Sequence, residues 1–264
     1  RALPVENGGE VKGWKENLNL AISTFTEALK FTSDTDETAF INTLIARAYY
    51  RLGDKVNAVK YASNVLTLST DFTKQVTFDG ENNVISSIQG YIYGTNFQPL
   101  PRLDFLDPKY FQTKAKEARP ICIAKAEEPY LILAEAALAD NDVNGAKGFL
   151  KTLLTLVSNR PVATDINDQL EGRYNGGYKE YPNSSEYRVA ASSEDEFRSG
   201  LVLDRQSPHL ISVPYISGTS VTEEMIDAPT TVDGLLEVLY LMRQEIFMAE
   251  GRRAADLGIR FPVC

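Results

Sequence analysis

Four glutamates stand where paired-carboxylate chemistry would be sought: Glu127 with Glu128, and Glu245 with Glu250. A glycoside hydrolase needs two carboxyl groups facing each other across the scissile bond, one as acid and one as nucleophile or base. Neither spacing supplies that arrangement. Adjacent residues on a helix point apart, because only residues three or four positions apart share a face. Residues 245 and 250 lie well around the helix from one another. The second pair also belongs to a dense patch with Arg252, Arg253 and Asp256 beside Gly251. Arginine–carboxylate forks more often hold elements together than do chemistry. Both pairs therefore read as caps or salt bridges, and the patch as an ion-paired helix end fixed against a neighbour.

The remaining side chains close other routes. His209, the single histidine, follows Pro208 in a loop, which leaves a Ser-His-Asp triad remote and a histidine-rich zinc site impossible. Cys122 and Cys264 give neither a disulfide framework nor metal-ligand spacing. Gly80, Gly90 and Gly94 lack the Lys-Ser/Thr step that a phosphate-binding loop requires. The net charge is −9 and no Lys/Arg cluster stands out, so nucleic acid is not an expected partner. No run of eighteen apolar residues is present, and RALPVENGGE does not read as a signal peptide. No metal, nucleotide or nucleophile constellation survives.

The elements that must position these residues are mostly helices. Residues 14–31 carry Leu18, Ile22, Phe25, Ala28 and Leu29 on one face, with Trp14 at the helix start expected to anchor in the core and stacking on a sugar as its alternative role. Helices follow at 37–52 and 55–68, joined by a tight Gly53–Asp54 turn. This hairpin recurs. Residues 46–66 align without gaps on 134–154, so that Ala46, Ala48, Asp54 and Ala58 meet Ala134, Ala136, Asp142 and Ala146. Small residues let two helices approach closely, and the aspartate caps the second helix. That pattern is the content of a tetratricopeptide-type repeat. The first helix looks like the second half of such a unit, which implies that the repeat begins upstream of this sequence.

Two irregular segments interrupt the helices. In 72–119, Gly80, Gly90, Gly94, Pro99, Pro101 and Pro108 break any long helix, aromatic residues gather, and 84–88 and 91–93 read as short strands. Segment 161–233 has little helical periodicity, and its 201–217 portion reads as a hairpin around Pro208 and Pro214. A late helix is expected over 235–257, with Leu235, Leu236, Leu239, Met242, Ile246 and Ala249 recurring at helical spacing. No domain boundary is evident, so 1–264 reads as one mainly α domain of tetratricopeptide-like hairpins in an α-α superhelix. Its hairpins fall near 14–70 and 127–160, with short β segments in the loops.

Three stretches together resemble the SusD/RagB family of outer-membrane nutrient-binding lipoproteins of Bacteroidetes. They are the hairpin at 39–68, the run EEPYLILAEAAL within 121–160, and RQEIFMAEGRRAADL at 243–257. The last looks like the family's late helix, R-x-E-x-x-x-E-G-x-R-x-x-D-L. Two departures stand out: the family's N-terminal portion, with its signal peptide and lipid-bearing cysteine, is absent from this sequence, and 161–233 is longer than expected. The resemblance implies a non-enzymatic, cofactor-free role in nutrient uptake and polysaccharide utilisation. A glycan would be held at the cell surface for a SusC-like TonB-dependent transporter, with the membrane reached only through a lipid anchor outside this sequence.

A glycan binder needs loop aromatics to stack on sugar CH faces and polar neighbours for the hydroxyls. Two clusters meet that need: Tyr91, Tyr93, Asn96, Phe97 and Arg102, and Arg173, Tyr174, Asn175, Tyr178 and Tyr181. The same aromatics would also serve to pin loops to the helices beneath. The alternative function is a tetratricopeptide-type adaptor that takes a peptide or protein partner in its helical groove.

Overall fold

The structure, a computed structural model, describes residues 12–87, 89, 109, 116–167, 210–248, 250–252 and 260–261. These residues are mainly helical, with two small antiparallel sheets among them.

The internal repeat sets the packing. Helix α2 (Thr35–Leu52) turns into α3 (Lys55–Leu68), and α4 (Glu127–Ala139) turns into α5 (Val143–Ser158). Equivalent positions play equivalent parts. Ala46, Ala58, Ala134 and Ala146 are fully buried, so the helix backbones can approach where a larger side chain would hold them apart. Asp54 accepts from the Asn57 N–H at 3.0 Å and Asp142 from the Gly145 N–H at 2.8 Å, each satisfying a donor the first helical turn leaves open. Gly53 and Asn141 hold the same left-handed place in the two turns, at φ of 76° and 59°. Asparagine is among the few residues with a side chain that tolerates that conformation.

Helix α1 (Trp14–Ala28), extended by a 3₁₀ turn at Leu29–Phe31, lays Leu18, Ile22 and Phe25 on Ile41, Ile45 and Ala48 of α2. Trp14 is not a core anchor as its place in the apolar stripe implies. It projects beyond the contact with α2 and is 59% exposed.

Helix α4 is the centre of the fold. All of its residues except Ala137 are buried, including Glu127, Glu128 and Glu135. Its sequence is accordingly apolar on all sides. Two further helices, α6 (Glu223–Asp227) and α7 (Val232–Ile246), close one side. Leu235, Leu239, Met242 and Ile246 of α7 join Leu131, Leu138, Leu150 and Leu153 in one cluster.

Strand β1 (Thr73–Val76) pairs with β2 (Ile121–Lys125), and β3 (Val162–Asn167) with β4 (Leu210–Pro214). Both pairings differ from the expected ones. Residues 84–86 join no strand, and Ser87 and Gln89 are helical. The Gln89 side chain binds the Glu117 carbonyl and the Arg119 N–H, which draws that segment onto the chain before β2. Leu210–Pro214 takes Val162–Asn167 as its partner, and residues 201–209 of the expected hairpin lie outside the described residues. Residues 91–93 and His209 lie outside the described residues.

The late helix is shorter than its periodicity suggests. It stops at Ile246 instead of running to 257, and Gly251 then takes a left-handed turn at φ 71°. At that end, from across the fold, the buried Lys125 ammonium donates to the Ile246 carbonyl at 2.7 Å. A cation on a terminal carbonyl satisfies an acceptor left open at a helix end and complements the helix dipole.

Candidate functional site

The charged residues converge on α4. Its first turn carries Glu127 and Glu128, whose adjacent side chains diverge as helix geometry requires. Glu128 receives two guanidinium forks. Arg47 of α2 donates from Nε at 2.9 Å and from its terminal nitrogen at 2.7 Å, while Arg252 donates twice at 2.8 Å. Burial alone would raise this carboxyl, but the charges of Arg252 and Arg47 outweigh it and hold the group at about 2. Glu127 pairs with Arg160 at 2.9 and 2.8 Å and accepts from the Ser217 hydroxyl at 2.6 Å. Burial again opposes ionisation, and the Lys125 and Arg160 charges with these hydrogen bonds draw the Glu127 pKa below the usual range.

Two turns further along α4, Glu135 binds three segments. Arg243 of α7 and the Tyr50 hydroxyl each donate to one oxygen at 2.7 Å, and the N–H groups of Arg260 and Phe261 donate to the other at 2.7 and 3.0 Å. Phe261 then packs edge-on to the Tyr50 ring, with centroids 5.3 Å apart. A last pair completes the cluster. Glu250 accepts from Lys125 at 2.7 Å and from Lys109. Burial and the neighbouring Lys125 charge pull Lys109 down to about 8, against the attraction of Glu250. Burial likewise raises the free thiol of Cys122.

This cluster is a structural clasp. The space enclosed by Tyr50, Glu128, Leu131, Ile132, Arg243, Phe247 and Arg252 is about 10 Å³, no more than one water needs. Glu245 sits apart, accepting from the Thr219 hydroxyl and the Ser220 N–H at 2.7 Å each. The structure thus bears out Glu127, Glu128 and Glu250 as salt-bridged and Arg252, after α7, as part of an ion-paired clasp. Glu245 is hydrogen-bonded to Thr219 and Ser220 without a salt bridge among the described residues. Arg253 and Asp256 lie outside the described residues.

An open site occurs at the other side of the first hairpin. Trp14, Asn17 and Leu18, on one face of α1, line a groove of about 510 Å³ with Arg51 of α2 and with Arg260. Lys15 places its ammonium 5.5 Å from the Trp14 ring centroid. Among the described lining residues there is no carboxylate, thiol or imidazole, so the groove is equipped for stacking and hydrogen-bond donation.

No protein-family model, curated protein or solved structure matches the chain. Among the described residues no group of acidic, cysteine or histidine side chains is arranged to hold a metal, and no helix is long and apolar enough to cross a membrane.

The two aromatic clusters expected to meet ligand, Tyr91, Tyr93, Asn96, Phe97 and Arg102, and Arg173, Tyr174, Asn175, Tyr178 and Tyr181, lie outside the described residues. The sequence offers Trp14 as a stacking residue only as the alternative to a core anchor, and it does not announce the groove beside it. Trp14 continues the Leu18–Ile22–Phe25 stripe by one turn, which reads as core. Helix α2 ends at Leu52, and among the described residues no neighbour covers the indole fully.

Proposed function

We propose that this chain is a SusD-like, non-catalytic binding protein that holds a glycan at the outer-membrane surface and delivers it to a TonB-dependent transporter. The observation that carries the reading is spatial. The three stretches that bear the family resemblance, far apart in sequence, contribute Arg47, Glu128 with Glu135, and Arg243 with Arg252 to one buried clasp. A resemblance built from chance fragments gives no reason for its charged residues to complete one another. The carboxylates that would do acid–base work are held ionised or hydrogen-bonded inside this clasp, which favours binding over turnover. On this reading the hairpins form a tetratricopeptide-like superhelix, and ligand meets surface aromatics.

The test is a pull-down with immobilised polysaccharides, paired with a reducing-end assay. Retention on a glycan with no new reducing ends is expected, together with loss of retention in Tyr91→Ala and Tyr174→Ala. Peptide binding with no retention across a glycan panel would sink the carbohydrate reading, and released reducing ends would make the chain an enzyme.

The matched caps and alanines of the two hairpins favour a second reading, a tetratricopeptide-type adaptor for a protein partner. In that case Tyr91→Ala and Tyr174→Ala leave binding unchanged.

A further inference from the structure

We draw no further inference here: the strongest candidate, the groove that Trp14, Asn17 and Leu18 of α1 line with Arg51 and Arg260, carries none because both arginines already have interaction partners of their own and nothing among the described residues shows what covers it.

Discussion

Arg243 meets Glu135 at 2.7 Å across 108 residues of chain, with both side chains at most 5% exposed. Neither charge has water to fall back on, so the pair joins α7 to α4 only while both members are present. Removing one partner of a buried pair leaves an uncompensated charge and costs about 3–5 kcal/mol. Glu135→Ala also abandons the Arg260 and Phe261 N–H groups. Urea unfolding should therefore show a loss of about 3–5 kcal/mol for Glu135→Ala. A loss under about 1 kcal/mol, the worth of an exposed pair, would contradict the clasp.

Glu128 gives the fold an acid limit. Its carboxyl falls from an ordinary 4.5 to about 2 in the folded state, so the unfolded chain takes up its proton first. The corresponding stability is complete above pH 4.5 and drains away as pH falls toward 2. Its size is on the order of 3 kcal/mol. Urea midpoints measured between pH 2 and pH 7 should fall steeply for the parent. For Glu128→Gln, starting lower, the slope below pH 4.5 should be visibly smaller.

Lys109 works in the opposite sense. Its folded pKa of about 8 lies below the ordinary 10.5, so between these values the unfolded state binds more protons and stability rises with pH. Below pH 8 the buried ammonium carries its full penalty, with Lys125 competing for the same carboxylate. Lys109→Met should abolish that alkaline gain, read as the difference between the parent and variant curves from pH 7.5 to 10.5. Parallel curves would show that Lys109 is not depressed.

Two glycines of α5 should answer differently to the same substitution. A methyl group at Gly148 meets nothing, so Gly148→Ala should stabilise by about 1 kcal/mol through helix propensity. At Gly145 the added carbon would lie 2.1 Å from an Asp142 carboxylate oxygen, the group that caps this helix. Displacing the cap costs about 1 kcal/mol and offsets the gain, so Gly145→Ala should leave the thermal midpoint nearly unchanged. A similar rise in both variants would mean that the cap adjusts freely.

The helical part of the fold is legible because its signals are local. Apolar spacing gives α1, α2, α3 and the start of α7, and the aligned Asp54 and Asp142 mark two helix starts that hydrogen bonds then bear out. What escapes is decided by distant partners. Nothing near Ile246 in sequence says that the helix should stop there; the cation that satisfies its terminal carbonyl, Lys125, lies 121 residues away. The strand partners are equally remote, since Thr73 meets Lys125 and Val162 meets Pro214. Charge spacing alone rejects Glu127–Glu128 as an acid–base pair, but the identity of their arginines is tertiary information. The groove at Trp14 is hidden for the same reason, because a periodic stripe does not reveal which of its residues a neighbour covers.

The clasp also orders events in time. As the chain leaves the ribosome, the acids of α4 emerge well before half of their counter-ions: Arg47 precedes Glu128 by 81 residues, but Arg252 follows it by 124 and Arg243 follows Glu135 by 108. Closing loops of that length is slow relative to forming local hairpins. A nascent chain that ends before α7 thus presents a central helix whose burial is uncompensated, and the core locks only when Arg243 and Arg252 arrive. Synthesis that stalls before that point would leave an open, protease-sensitive intermediate instead of a smaller version of the finished protein.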